Sequence, residues 1–276
     1  QAMAEEEERE LSSKAPPPSN DDGPPVEYLE ECYRANEVGD SILYNYLNKN
    51  KFLFTEVSSD PVKDAWLRYV GPHWDVDYKR RSKASVEAVA VQYLRLLAPV
   101  EERLGKIDKD LERDPKDKDL KDERKIVVAQ RKALISRIDR LRSDAGRNAI
   151  LRCSVSNYDP ISIHPNELDR YPWLFPCANG IVDLSTGEFT KGGDPSLYLT
   201  AASPIRWEGM DAQCKVWQQF LFDVLGGEQE SIDYLQKVLG YAITGLNTER
   251  VFIVLYGPHG QNGKGTLMNI LLKILG

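Results

Sequence analysis

The residues whose types and spacing best suit chemistry lie between positions 251 and 267. The apolar run at residues 251–256 precedes a glycine-rich segment that ends in Gly263 and Lys264, and an apolar helical pattern begins at Leu267. A buried strand, a glycine-rich turn, a lysine and a helix N-terminus are the parts of a phosphate-binding loop. The sequence therefore predicts a site for the phosphates of a nucleotide.

Each residue type in this segment has a role that phosphate chemistry explains. Gly260 and Gly263 let backbone N–H groups approach the phosphates, and Lys264 places a positive charge on the terminal phosphates beside the helix dipole. A lysine at the start of an apolar helix has no packing reason, so a turn without a ligand is the weaker interpretation. The predicted nucleotide-binding residues are Gly257, Gly260, Asn262, Gly263, Lys264, Gly265 and Thr266.

The segment departs from the usual phosphate-loop template at two positions. Pro258 occupies the place of the first glycine, and Gly257 lies one position earlier, so the loop is one residue longer. Gly265 follows the lysine, where a serine or threonine normally binds Mg²⁺. Thr266 is therefore the candidate Mg²⁺ ligand, and otherwise water takes that place.

A second candidate site is a cationic stretch at residues 124–147, which we call the basic arm. It contains eight Lys or Arg against Asp139 and Asp144. Apolar residues recur every seven positions through this stretch, and Pro115 separates them from an earlier apolar series that ends at Leu111. Because proline breaks a helix interior, the pattern predicts an antiparallel helical hairpin over residues 100–147.

The basic arm has two possible interpretations. Charged residues normally cover the outside of a helical hairpin, so a solvated face is the simpler one. The alternative is contact with DNA phosphates, because several of these long cations are expected to face solvent. The candidate DNA-binding residues are Arg131, Lys132, Arg137, Arg140 and Arg142.

The remaining patterns predict a mixed α and β chain that is mainly helical. Turn residues at 179–180 and 185–188 flank the strand-like run 181–184, and residues 197–199 are expected in a further hairpin. Two apolar helical stripes precede Gly226 and Gly245. The expected segments are an acidic, proline-rich disordered linker (1–25), a mainly helical domain with a small strand element around Trp66 and Trp74 (26–99), the charged helical hairpin (100–147), a β-hairpin module (148–206), a helical pre-motor segment (207–248) and the start of a P-loop ATPase domain (249–276).

Composition limits the classes of protein to which the chain can belong. The net charge of −7 argues against a protein that coats nucleic acid over its whole surface, although much of it comes from residues 5–8 and 21–22. The four cysteines and three histidines lack the close pairing of zinc sites. Apolar runs are too short to span a bilayer, and no secretory signal is evident, so we expect a cytoplasmic protein without a membrane partner.

Four stretches of the sequence resemble the phage, plasmid and poxvirus primase-helicases, whose motor belongs to helicase superfamily 3. Their order and spacing are similar to those of the region before the motor in that family, and the resemblance covers roughly residues 30–276. The stretches are residues 35–40 with 74–77, residues 172–188, residues 235–245 and residues 262–266.

The resemblance implies an ATP-dependent DNA helicase that unwinds duplex DNA as a ring during replication. It implies ATP and Mg²⁺ as cofactors and DNA as a partner, with a homo-oligomer, hexameric in the family, and other replication proteins as further partners. Only one helix follows Thr266, whereas the motor needs further strands, a second acidic motif, a polar sensor and an arginine finger. We therefore expect the longer protein to be the enzyme and this chain, with an incomplete α/β motor, to be inactive by itself.

Two other functions remain open at this point. The chain as it stands would also suit a non-enzymatic module that mediates oligomerisation and guides DNA. A stand-alone P-loop kinase or GTPase is a third possibility, but a long helical and hairpin region before the loop is unusual for that class. An acidic pair at the end of an apolar strand would favour the helicase, and an arginine-rich lid would favour the kinase.

Overall fold

The computed structural model describes residues 23–56, 64–158, 160–257, 260 and 262–276. The chain divides into two compact units: the first comprises the described residues up to Arg68 together with Val76–Ile163, and the second comprises Tyr69–Asp75 and His164–Gly276. About 54% of the residues are helical and the sheets are small, which confirms a mixed α and β fold that is mainly helical. Residues 1–22 of the predicted linker lie outside the described residues.

The first unit is built around helices that pack on a shared apolar core. Tyr44, Tyr93 and Leu141 are fully buried in this core, and Ile150 joins them from the last helix of the unit. The helices are α1 (Val26–Arg34), α2 (Asn36–Asn48), α3 (Arg81–Ala84), α4 (Glu87–Arg113), α5 (Lys118–Arg142) and α6 (Asp144–Ser154).

Four strands between residues 52 and 163 form a small sheet. Its strand order is β3-β2-β1-β4, with β1 antiparallel to β2 and parallel to β4. The strands are β1 (Phe52–Glu56), β2 (Asp64–Tyr69), β3 (Trp74–Val76) and β4 (Ser162–Ile163). The predicted strand element around Trp66 and Trp74 is confirmed, and β4 enlarges it.

The antiparallel hairpin of α4 and α5 confirms the prediction from the heptad pattern. Val127, Leu134 and Leu141 are buried, and Asp117 caps α5 by accepting a hydrogen bond from the backbone of Leu120 at 3.0 Å. Four ion pairs join the two arms of the hairpin along its length. These pairs are Asp108–Arg124, Arg103–Glu123, Glu101–Arg131 and Glu87–Arg142.

The first arm of the hairpin is longer than the sequence suggested. Helix α4 continues through Pro99, so residue 100, where we expected the hairpin to begin, lies in the interior of that helix. A proline removes one backbone hydrogen bond from a helix. Burial of Tyr93 and Leu96 before the proline and of Ile107 after it holds the helix together on both sides.

The second unit contains an antiparallel sheet and three helices among its described residues. Its strands β5 (Leu174–Cys177), β6 (Gly180–Asp183) and β7 (Phe189–Lys191) are connected in sequence order, as the turns at 179–180 and 185–188 predicted. The helices are α7 (Lys215–Val224), α8 (Gln229–Ala242) and α9 (Lys264–Leu275). Helices α7 and α8 confirm the two predicted apolar stripes.

Two predicted β segments of the second unit are wrong. Residues 197–199 were expected in a hairpin, but Pro195–Leu197 form a 3₁₀ helix that the Asp194 side chain caps. The run 251–256 was expected to be a buried strand, yet it forms no strand, and Phe252 is 88% exposed. A strand needs a neighbour for its backbone hydrogen bonds, and none of the described strands pairs with this run.

Where the sequence predicted a strand, a loop and a helix of a P-loop ATPase domain, the described residues form a helix, α9, and no strand. Within the described parts of the chain, no helix is long and apolar enough to cross a membrane.

Candidate functional site

Helix α9 begins at Lys264, the lysine that the sequence predicts to bind phosphate. Gly263 has a φ of +82°, in the left-handed region that favours glycine, and Lys264 is the first helical residue. A Cβ atom on Gly263 would lie 2.5 Å from the Val224 side chain, so glycine is required for space as well as conformation. The backbone turn before α9 is thus set by glycine, as a phosphate loop requires.

Helices α7 and α8 hold α9 in place. Leu267 is buried against Leu221 of α7 and Leu235 of α8. Trp217 and Phe220 stack with ring centroids 5.7 Å apart at the edge of this cluster. The two predicted pre-motor helices therefore provide the packing surface for the helix that carries Lys264.

Three of the predicted nucleotide-binding residues lie together in the structure. Lys264 Nζ donates a hydrogen bond to Asn262 Oδ1 at 2.7 Å. A Cβ atom on Gly257 would lie 1.9 Å from Asn262 Nδ2 and 3.0 Å from Lys264 Nζ, so the backbone of Gly257 lies directly against both side chains. In the described chain, Lys264 forms no ion pair with a carboxylate, which leaves its charge available for an anion.

The remaining predicted loop residues are open to solvent. Gly260 and Gly265 have free space where a side chain would project. Thr266 is exposed in the first turn of α9, where its hydroxyl group can reach a ligand. Pro258, His259 and Gln261 lie outside the described residues, so the middle of the loop is not part of this geometry.

The residues fit phosphate better than they fit a metal ion bound by protein side chains. A mobile ammonium, a glycine with positive φ and a helix N-terminus are anion-binding features. Across the described ranges, no three His, Cys, Asp or Glu side chains are grouped to hold a metal. Mg²⁺ would therefore depend on nucleotide oxygens, on water and on Thr266.

The second candidate site, the basic arm, is largely engaged in ion pairs. Arg137 donates to Asp40 Oδ2 at 2.7 Å and to Asn36 Oδ1 at 2.7 Å, and 12% of its side chain is exposed. Arg140 contacts the same Asp40 oxygen at 2.9 Å and also pairs with Glu37. Several of the five predicted cations were expected to face solvent, and Arg137 is not one that does, because it pairs with a buried carboxylate.

Asp40 is the centre of this cluster. It is fully buried, and Tyr93 donates a hydrogen bond to its Oδ1 at 2.8 Å. Burial raises the pKa of Asp40 above its ordinary value, although the Arg137 charge, the Tyr93 hydrogen bond and the Arg140 charge each lower it. The carboxylate thus links α2, α4 and α5.

The other cations of the basic arm differ in their surroundings. Arg131 pairs with Glu101 at 3.0 Å, and Arg142 pairs with Glu87 at 2.8 Å. Lys132 is exposed and makes no ion pair among the described residues. Of the predicted DNA contacts, Lys132 is therefore the residue whose charge is least compensated by the fold.

Sequence reasoning noted residues 35–40 for their family resemblance but missed their structural role. Glu37 and Asp40 are three residues apart on α2, and Arg137 and Arg140 have the same spacing on α5. Residues three apart share a helix face, so two carboxylates can meet two guanidinium groups across a helix pair. This matched spacing is the signal that could have identified the contact.

Comparison with known proteins assigns the chain to a family. A family model described as D5 N terminal like matches residues 42–226, about two thirds of the chain. The matched range includes the α4–α5 hairpin and the β5-β6-β7 sheet but ends before the loop at Lys264. No curated protein matches the chain. The chain belongs to the D5 N terminal like family, whose domain is found in phage and plasmid primase-helicase proteins.

Proposed function

We propose that this chain is part of an ATP-dependent DNA helicase that unwinds duplex DNA during replication of a phage, prophage or plasmid. The observation that carries the proposal is the contact of Gly257, Asn262 and Lys264 at the N-terminus of α9. Membership of a family found in primase-helicase proteins supports the same activity.

The proposed nucleotide is ATP, bound with Mg²⁺. Lys264 would release Asn262 and pair with the terminal phosphates, since a triphosphate is a stronger partner for an ammonium group than a neutral amide. Backbone N–H groups at Gly263 and Gly265 would bind further phosphate oxygens at the helix N-terminus. Thr266 would bind Mg²⁺ directly or through water, and the metal would neutralise charge on the transferred phosphoryl group.

The proposed active form is a homo-oligomeric ring, hexameric in the family that the chain resembles. Helices α7 and α8 carry large apolar side chains that their own cluster does not bury: Val216, Phe222 and Tyr234 are exposed. In a ring these side chains would pack against those of a neighbouring subunit. These helices are therefore the surfaces through which we propose that neighbouring subunits associate.

The test is DNA-stimulated ATP hydrolysis and strand separation by the full-length protein. Lys264→Ala should abolish both activities, because the ammonium stabilises charge that develops on the phosphoryl group. Lys273→Ala is the matched control, since Lys273 is an exposed cation in the last turn of the same helix. Strand separation that survives Lys264→Ala would remove Lys264 from the mechanism and overturn the proposal.

A second candidate function is a non-enzymatic module for oligomerisation and DNA guidance. The exposure of residues 251–256, without strand pairing in the described structure, favours this function over a complete nucleotide site. The two functions differ in their dependence on nucleotide. A module would assemble and bind DNA equally well without ATP and in Lys264→Ala, whereas the helicase requires ATP and Lys264 for turnover.

A further inference from the structure

A cationic cavity lies in the first unit, where the loop before α3 meets the junction of α5 and α6. Its volume is about 300 Å³. Four of the lining side chains are cations and one is a carboxylate, and the lining residues are Arg80, Lys83, Ala84, Arg142, Asp144 and Arg147. Arg142 was among the predicted DNA contacts, whereas the other cations of the cavity were not.

Hydrogen bonds to the Asp77 side chain hold the loop before α3 in a defined conformation. The Asp77 side chain accepts hydrogen bonds from the backbone N–H groups of Arg81 at 2.9 Å and Ser82 at 2.7 Å. Arg80 has a φ of +51°, in the left-handed region, and directly precedes α3. The position of Arg80 at the cavity is therefore fixed by capping interactions.

The cations of the cavity are incompletely neutralised. Lys83 pairs with Asp144 at 2.5 Å, and Arg142 pairs with Glu87 at 2.8 Å. Arg147 reaches the same Glu87 at 3.5 Å, and its Nε is buried without a hydrogen-bond partner.

Arg80 makes no ion pair among the described residues. Four cations thus share two carboxylates, Glu87 and Asp144, so a net positive charge remains for an external anion.

An exposed aromatic side chain precedes Arg80 by two positions in the chain. Tyr78 is 84% exposed and is separated from Arg80 by Lys79, which is also exposed. Proteins that bind single-stranded nucleic acid combine cations along the backbone with aromatic rings on which bases stack. A solvent-facing tyrosine contributes nothing to the core of its own unit, whereas a base provides a partner for its ring.

We propose that this cavity binds a backbone phosphate of single-stranded DNA, with Arg80 and Arg147 as phosphate ligands and Tyr78 as a stacking platform for a neighbouring base. The site deepens the DNA-binding part of the proposed function and rests on it for the choice of DNA as the source of the phosphate. It does not depend on the nucleotide loop at Lys264. Its binding should be independent of base sequence, because a phosphate carries no sequence information.

The experiment measures the affinity of the full chain for a labelled oligothymidine of about 20 nucleotides as a function of salt concentration. Arg80→Asn removes the charge while retaining a residue that tolerates positive φ. We expect binding to weaken roughly fivefold at ~0.1 M salt and the log–log salt slope to fall in magnitude by about 0.7, the value for one lost contact with a single strand. Tyr78→Ser should weaken binding about fivefold or more through lost stacking, with the slope unchanged.

Lys116→Asn is the matched control. Lys116 is an exposed cation at the tip of the α4–α5 hairpin, roughly 37 Å along α5 from the cavity. The Lys116→Asn variant should bind the oligonucleotide with the affinity and salt slope of the unaltered chain. Circular dichroism melts of all three variants ensure that weaker binding does not reflect unfolding.

Three results would overturn the proposal. The first is equal affinity and slope for the unaltered chain and Arg80→Asn, including the case in which neither binds DNA. The second is displacement of the strand by inorganic phosphate or ATP at concentrations close to that of the oligonucleotide, which would identify a free phosphate as the ligand. The third is loss of strand binding in Lys264→Ala with Arg80→Asn unaffected, which would place the DNA at the nucleotide loop. Loss of ATP hydrolysis with retained strand binding would count only against the proposed helicase.

Discussion

Arg137 Nη1 lies 2.7 Å from Asp40 Oδ2, and this buried ion pair connects α5 to α2 across 97 residues of sequence. The carboxylate is fully buried and also receives Arg140 and the Tyr93 hydroxyl group. Removing Asp40 takes the buried acceptor away from Arg137 and Tyr93, which costs more than the ion pair itself contributes to stability. The basic arm of the hairpin is therefore held by a cluster whose loss should be visible in stability.

The first prediction is that Asp40→Ala lowers the free energy of unfolding by about 3–5 kcal/mol, because it leaves Arg137 and Tyr93 without their shared acceptor. Urea unfolding of the chain, followed by circular dichroism, measures this change. Glu37→Ala is the control: Glu37 pairs with Arg140 at a half-exposed position, and an exposed pair contributes at most about 1 kcal/mol. Equal losses in the two variants would contradict a central role for Asp40.

Much of the local structure could be predicted from periodicity. Heptad spacing through Val127, Leu134 and Leu141 predicted the hairpin. Turn residues around Gly180 and Gly187 predicted the β5-β6-β7 sheet. These features depend on residues close in sequence, where side-chain spacing determines which face is buried.

The features that could not be predicted depend on partners distant in sequence. The run 251–256 has the composition of a buried strand, but pairing requires a neighbouring strand, which composition does not reveal. Arg137 lies in a segment whose composition is typical of a solvated helix face, but its buried partner Asp40 lies on another helix. The predicted boundary between residues 99 and 100 falls inside α4, which apolar packing on both sides of Pro99 holds together. The candidate nucleotide loop was predicted from its motif, whereas the cavity at Arg80 has no sequence motif.

The second prediction concerns two helical glycines whose substitution by alanine should have opposite effects. A Cβ on Gly39 would lie 1.9 Å from the backbone oxygen of Cys32, so Gly39→Ala should destabilise the chain by about 1–3 kcal/mol through overpacking. Gly105 in α4 has no neighbour within 4 Å, so Gly105→Ala should stabilise it by about 0.5–1 kcal/mol through helix propensity. Urea unfolding measures both, and a stabilising Gly39→Ala would contradict the close contact of α1 with α2.

The third prediction concerns thiol reactivity. Burial raises the pKa of Cys32 to about 12, and its side chain is inaccessible, so at pH 8 only about 1 in 10⁴ of these groups would be thiolate. Burial also raises the pKa values of Cys153 and Cys177, whereas Cys214 is exposed.

We therefore expect a disulfide reagent at pH 8 to modify Cys214 rapidly and the other three thiols only slowly or after unfolding. The absorbance of the thiol that the reagent releases measures the rapid and slow phases of cysteine modification. Cys214→Ser should remove the rapid phase, and a rapid phase that persists in this variant would show that a second thiol is accessible. Because a raised pKa keeps Cys32 protonated, its reactivity should rise only as the pH approaches 12 or as the chain unfolds.

The last prediction separates DNA contact from structural support within the basic arm. Lys132 is exposed and makes no ion pair among the described residues, whereas Arg137 is 12% exposed and bound to Asp40. If the arm contacts DNA phosphates, Lys132→Glu should weaken duplex binding and reduce the magnitude of the log–log salt slope by about one unit, without a change in sequence preference. The free energy of unfolding of the Lys132→Glu variant should change by at most a few tenths of a kcal/mol, as for other exposed charges.

Arg137→Glu should have the opposite profile, because it places a second carboxylate beside the buried Asp40. We expect it to lower the free energy of unfolding by about 3–5 kcal/mol. DNA affinity is therefore compared at a temperature where circular dichroism shows both variants folded, and there Arg137→Glu should retain the salt slope of the unaltered chain. If Lys132→Glu also binds duplex DNA with unchanged affinity and slope, the five predicted contacts of the arm support the hairpin and not duplex DNA, because the other four are committed to Glu101, Glu87 and Asp40.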